Sequence, residues 1–152
     1  MNNRTEQTQL NENWQVVYDL SKRVGEIRKL FQETYWAGWR SEEDIKTMLE
    51  NSIVSVGLEP CGGGELVAYA RVIGDGVFKA IVEDVIVTTE LRGQGVGHSL
   101  MNALMLTPNV ASVEEVELYC DPRRKRFYED SGFTVVEDQL FMRTKGRSFD
   151  KY

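Results

Sequence analysis

Apolar positions recur along this chain in two periods. Val24, Ile27, Leu30 and Phe31 fall on one helical stripe. That spacing predicts a first helix capped at Ser21 and running to about Trp36. Ser41, with Asp44 three residues later, is a capping pair of the kind usually completed by Glu or Gln. It opens a second helix carrying Ile45, Met48 and Leu49. Ahead of both, Trp14 to Leu20 holds the β-prone run Val16, Val17, Tyr18 and predicts a strand. After them the period shortens. Ile53 to Leu58 and Leu66 to Ile73 are strand-like, separated by the loop-forming run Pro60-Cys61-Gly62-Gly63-Gly64. Gly74-Asp75-Gly76 is a hairpin signal, with Phe78 to Thr88 as the next strand. These segments suggest an antiparallel meander. The pattern then becomes helix, strand, helix, strand. Gly95 to about Thr107 aligns Val96, Leu100 and Leu104 and stops before Pro108. Val116 to Cys120 is a short strand, and Asp121-Pro122 starts a helix ending near Gly132. Phe133 to Val136 and Leu140 to Arg143 are expected to close the chain as two more strands. The fold class is α+β: a mixed, mostly antiparallel sheet flanked by helices.

With 152 residues, 41% hydrophobic and 28% charged, the chain is long enough to bury roughly two-thirds of its unfolded surface. Residues 1–12 are polar and read as a flexible lead-in; 13–152 read as a single domain. No apolar run approaches the ~20 residues of a membrane span, and nothing at the N-terminus reads as a signal peptide. Cys61 and Cys120 lie far apart with one histidine in the chain, so no metal site is expected. Two free thiols in a reducing cytoplasm is the corresponding expectation, with no membrane partner. The net charge of −6 without a long basic run argues against a nucleic-acid partner. It suits a cationic ligand, but solubility is the more general explanation of such a charge.

The chemistry is concentrated in Val85-Ile86-Val87-Thr88-Thr89-Glu90-Leu91-Arg92-Gly93-Gln94-Gly95-Val96-Gly97. An apolar strand enters a short turn, then three alternating glycines, then a helix. Glycine lets backbone bend sharply and approach a ligand closely. A helix start presents N–H groups and the positive end of the dipole. Together they form an anion cradle suited to phosphate. A Walker loop requires Gly-Lys-Ser/Thr at the helix start, which is absent. The dinucleotide fingerprint requires a glycine where His98 stands, within an early parallel unit. A glycine-rich turn without ligand leaves the cradle unexplained.

Arg92-x-x-Gly95-x-Gly97 resembles the signature of the GNAT superfamily of acetyl-CoA-dependent N-acetyltransferases, Gln/Arg-x-x-Gly-x-Gly/Ala, in its usual strand–loop–helix setting. The order of elements over residues 14–143 is also similar to that fold. The resemblance implies acetyl-CoA as acetyl donor. Arg92, Gly93, Gln94, Gly95, Val96 and Gly97 would then hold the pyrophosphate. Backbone groups of Val85, Ile86 and Val87 would meet the pantetheine arm and acetyl carbonyl. Phe127-Tyr128-Glu129-Asp130-Ser131-Gly132-Phe133 resembles the family's late Phe-Tyr-x-x-x-Gly-Phe segment. It implies that Tyr128 lies near the thioester sulfur and assists departure of the thiolate; a half-buried packing role is its alternative. Asp121 stands where many members place a cofactor-touching asparagine, although helix N-capping accounts for it equally.

The acceptor amine must lose a proton before attack. Family members often use a strand carboxylate, directly or through water, which makes Glu83 and Asp84 the candidates. Strand alternation places them on opposite faces, and Glu83 is preferred because it shares parity with Val85 and Val87; a bulge would reverse that choice. Trp36, Trp39 and Arg40, between the first two helices, are candidate acceptor contacts, or core residues pinning the loop. Tyr69 and Arg71 are candidates of the same sort. The expected function is direct acetyl transfer to a primary amine, small-molecule or peptide/protein. A non-catalytic acyl-CoA-binding regulatory module on the same fold is the alternative. A toxin-like enzyme acetylating aminoacyl-tRNA is a further rival, disfavoured by the acidic balance. A homodimer through a sheet edge or the C-terminal strands is compatible with this order of elements.

Overall fold

The computed structural model describes residues 12–146 and 149. The expected lead-in, 1–12, falls outside them except for Glu12. The chain groups into two compact units, Met1–Leu118 and Tyr119–Tyr152, and their boundary falls inside the span 13–152 expected to be one domain.

In the first unit one sheet has strand order β1-β2-β3-β4-β5. Its strands are β1 (Trp14–Val17), β2 (Val54–Pro60), β3 (Ala68–Gly74), β4 (Lys79–Val87) and β5 (Glu115–Glu117). β2, β3 and β4 form the expected antiparallel meander, β1 extends it antiparallel to β2, and β5 joins β4 in parallel. The β3–β4 hairpin is built around Asp75, whose carboxylate accepts from the N–H groups of Val77, Phe78 and Lys79. A Cβ at Gly74 would lie 2.0 Å from the Lys79 carbonyl oxygen, so only glycine fits there.

Helix α1 (Val24–Gln32) and helix α2 (Glu42–Glu50) connect β1 to β2. Ser41 caps α2 as its spacing predicts, accepting from the Asp44 N–H at 3.1 Å. Ser21 does not cap α1: its own N–H and hydroxyl donate to Asp19, and the helix begins three residues later behind Arg23. A closer partner took the side chain the cap would have used. Ile27, Leu30 and Phe31 of α1 and Ile45 of α2 pack with Tyr69 and Ile86 of the sheet in one core cluster. Helix α3 (Val96–Met105), with Leu100, Met101 and Leu104 fully buried, packs mainly on β2, β3 and β4. Helix α4 (Pro108–Ala111) opens on Pro108, where the sequence placed only a stop; at a first-turn position the missing N–H costs nothing.

In the second unit, a 3-10 turn (Pro122–Arg124) leads into helix α5 (Lys125–Glu129). The helix ends at Gly132, φ +92°, with the Phe133 N–H returning to the Tyr128 carbonyl. The two closing strands expected over 133–136 and 140–143 are not formed: neither segment has a ladder partner among the described residues. Instead Phe141 stacks on Tyr119, centroids 4.3 Å apart, and the Arg143 guanidinium lies over both rings. β-Prone composition makes a strand only where a neighbour completes its hydrogen bonds.

Replacing Leu100, fully buried on α3, by alanine should lower unfolding free energy by about 2–5 kcal/mol. Urea denaturation should show this as a lower midpoint at unchanged slope.

Candidate active site

β4 pairs with β3 along its length but with β5 only from Lys79 to Ile81. Past Ile81 no strand pairs with its other edge among the described residues. The Thr88 N–H donates to the Val67 carbonyl, a rung toward β3. Ladder alternation therefore turns the backbone groups of Ile86 toward Tyr69, its register partner, and those of Val87 toward the open edge. Ile86 also buries its side chain in the core. It serves the fold on both counts, which removes it as a backbone contact for a ligand on that edge. The Val87 carbonyl already accepts from Arg92 Nε at 3.0 Å, a bond that folds the exposed Arg92 back along the strand end.

A 3-10 turn (Thr89–Leu91) then carries the chain into the glycine loop. Gly93 and Gly95 hold φ of +73° and +83°, and nothing lies within 4 Å of where a Cβ would project from either. The loop is thus left-handed at two points and open above them. Gly95 is the N-cap of α3, and the first intrahelical bond runs from the Ser99 N–H to the Gly95 carbonyl. The N–H groups of Val96 and Gly97 precede that bond and make none within the helix. An unpaired strand edge therefore runs into an anion cradle at a helix start.

That arrangement has a counterpart among known proteins. Residues 50–135 match the family model described as Acetyltransferase (GNAT) domain. The chain belongs to the GNAT acetyltransferase family. Over 120 residues it is 36% identical to serotonin N-acetyltransferase 2, chloroplastic, of Oryza sativa subsp. japonica, covering 77% of this chain and 59% of that protein. It is 40% identical over 74 residues to GCN5-related N-acetyltransferase 1, chloroplastic, of Arabidopsis thaliana, covering 49% of this chain and 38% of that one. The chain thus spans less than two-thirds of the length of both curated relatives. A crystal structure from Xanthomonas campestris pv. campestris, described as belonging to the GNAT family, superposes with a TM-score of 0.73 at 30% identity, over 87% of this chain and 93% of that one.

In this GNAT chain β4 is irregular where the sequence left the base undecided. Tyr69 faces Ile86 and Arg71 faces Glu83, so Asp84 and Val85 together oppose Ala70. The bulge undoes the parity that grouped Glu83 with Val85 and Val87. Glu83 is half-buried opposite Arg71. Asp84, at φ +55°, is buried and receives both Arg40 Nη1 at 2.8 Å and Arg71 Nε at 2.5 Å on one oxygen, Oδ2. No sequence spacing connects residues 40, 71 and 84, which is why this cluster was missed as a unit.

Of the three candidate acceptor contacts, Arg40 lies with its guanidinium 4.7 Å from the Phe31 ring centroid and 5.9 Å from that of Trp36. A cation of the protein's own therefore occupies aromatic faces that an acceptor ammonium would seek. Trp36 packs edge-on against Phe31, while Trp39 is about half exposed. Tyr69 is fully enclosed, and burial pushes its phenol well above the ordinary value.

In the second unit the Asp121 carboxylate caps the turn at the Arg123 N–H and also holds the Arg123 guanidinium. Its pKa falls to about 2, chiefly through the Arg123 side chain. Capping thus accounts for Asp121. Tyr128 sits on α5 with Phe127 and Phe133 edge-on to its ring. Burial, helped by Cys120, pushes its phenol up to about 12. The group remains a neutral hydrogen-bond donor through the physiological range.

A further residue escaped the sequence reading. Glu33, just past α1, accepts from the Thr89 N–H at 2.6 Å and from the hydroxyls of Thr88 and Thr89. It anchors the turn that leads into the glycine loop. Desolvation alone would raise its pKa, but the three hydrogen bonds outweigh it and the net shift is downward. The stabilisation is therefore complete above the unfolded-chain value of about 4.3 and is lost as pH falls through the lower folded value. Glu33→Gln should flatten the acid limb of a melting-temperature profile below about pH 5. A profile parallel to that of the parent protein would remove this role.

Proposed function

We propose that this chain transfers the acetyl group of acetyl-CoA to a primary amine, both substrates bound together. The observation that carries the reading is the continuity of the open β4 edge with the cradle at the start of α3. A pantetheine arm carries amide groups at a spacing that suits an unpaired strand edge, and its pyrophosphate suits helix N–H groups. Val85 and Val87 supply the edge, and Arg92 to Gly97 supply the cradle. The residues fit this donor: two left-handed glycines face open space where phosphate oxygens would approach the backbone. Bound acetyl-CoA supplies an activated thioester.

The protein's own groups account for the rest. Backbone N–H at the β4 edge holds the oxygen of the attacked carbonyl. The bulge removes the parity that favoured Glu83, but the Asp84 carboxylate is committed to two guanidiniums; on that ground Glu83 is kept as the group that takes the amine proton, directly or through water. For Tyr128 the family resemblance implies a hydrogen bond to the departing thiolate. Its raised pKa makes complete proton transfer uphill relative to a thiol near 8.5, and the hydrogen bond alone is the contribution. The name of the rice relative, together with the half-exposed Trp39, puts arylalkylamines first among acceptors to try; small polyamines, amino acids and peptide N-termini follow.

An amine panel scored by free CoA release tests the reaction. Release with at least one amine, absent without it, supports the enzyme; saturable acetyl-CoA binding with no turnover on any amine points to a binding module. Gly95→Val tests the cradle. Calorimetry should show acetyl-CoA affinity falling by roughly tenfold or more, with acetylpantetheine, which lacks the pyrophosphate, little affected. Equal losses for both ligands would place the pyrophosphate elsewhere. Tyr128→Phe should lower the single-turnover acetyl-transfer rate by about tenfold to a hundredfold at nearly unchanged acetyl-CoA affinity. A wild-type single-turnover rate would reduce Tyr128 to packing.

A further inference from the structure

The Asp84 cluster has no part in the mechanism above, although Asp84 is the one buried carboxylate among the described residues. A buried carboxylate shared by two arginines is costly to assemble, because each charge loses hydration. A non-glycine residue at positive φ adds backbone strain of about 1–3 kcal/mol and persists only where surrounding contacts hold it. Asp84 combines both features at the bulge, next to Glu83 and Val85. Its two partners come from different elements. Arg71 belongs to β3, so that bond stays within the sheet. Arg40 comes from the segment between α1 and α2, and its side chain crosses Phe31 and Trp36 to reach Asp84. Within the segment the Ala37 N–H donates to Thr34 Oγ1 and the Arg40 N–H to the Ala37 carbonyl, Ala37 is buried in the core cluster, and Arg40 Nη1 also lies 3.7 Å from Met48 Sδ.

We infer that Asp84 and Arg40 form a clasp that sets the acceptor side of the site: Asp84 is a positioning residue, and Arg40 serves it rather than touching the acceptor. This rests on the acetyl-transfer reading for its kinetic consequence, though not for its structural one. The clasp fixes the Trp36-to-Arg40 segment against the bulge that presents Glu83 and Val85. Opening it leaves the glycine loop intact while the acceptor-side segment and the bulge lose their common reference. A shift of ~1 Å between reacting groups is enough to cost about a hundredfold in rate.

Arg40→Met tests this with little risk to folding, because it keeps the apolar stem over Phe31 and leaves the Asp84–Arg71 pair in place; Asp84→Asn is the second variant, Arg40→Lys the conservative one. Amide hydrogen exchange over residues 34–41 should accelerate about tenfold in Arg40→Met and Asp84→Asn, with exchange at the start of α3 unchanged. With the best amine of the panel, acceptor KM should rise about tenfold in Arg40→Met, kcat should fall less, and the acetyl-CoA Kd should stay within about twofold. Arg40→Lys should recover part of the KM. The double variant should be no worse than Asp84→Asn alone, the signature of two residues acting through one contact. Unchanged exchange, or additive kinetic effects with acceptor KM at the parent value, would overturn the clasp. Failure of every amine would instead sink the acetyl-transfer reading and leave exchange to decide the clasp.

Discussion

The hydrogen-bond ladder of β4 is the constraint from which the candidate site follows. Along one edge β3 satisfies its backbone; along the other β5 does so for three residues and then stops. Unpaired N–H and C=O groups are normally a liability, because they invite another strand. Here the open edge leads directly into a glycine loop at a helix start, where the N–H groups of Val96 and Gly97 precede the first bond of α3. The strand edge and the helix start lie end to end, and the proposed acetyl-CoA site rests on that continuity.

Holding those groups open requires that everything beneath them be fixed. Ile86 anchors β4 to the core formed with α1 and α2. Glu33 ties the end of α1 to the turn at Thr88 and Thr89, and Arg92 closes back on the Val87 carbonyl. On the same face Asp84 ties the other side of the α1–α2 segment to the bulge through Arg40. Thus α1 and the segment after it are fastened to β4 at two places, one at the turn before the glycine loop and one at the bulge. The fastenings are carboxylates gathering several donors each, which gives direction as well as attraction.

Much of this was legible in the residues. Helical stripes and strand periods located nearly every element of the first unit, because burial of one face imposes its period on the sequence. Ser41 capped as its spacing required; Ser21 did not, since Asp19 two residues away competed for it. The 133–143 region shows the opposite weakness. Its β-prone residues carry no information about whether a partner strand is present, and among the described residues none pairs with them. A bulge is equally hard to read, since one extra residue in β4 leaves the apolar pattern nearly intact while reversing which carboxylate faces where.

By itself, then, the amino-acid order determined the α+β class, the meander, and the glycine loop at a helix start with the family it belongs to. These depend on residues close together in the chain, where period, capping and φ preference act locally. The tertiary structure alone decided that β4 is half open, that Ile86 faces the core rather than a ligand, and that Asp84 gathers Arg40 and Arg71 while Glu83 stands opposite Arg71. The Asp84 contacts join residues 13 and 44 positions apart. Which charges meet across such separations depends on strand register and on the path of the loop, and neither is written in the spacing of the side chains.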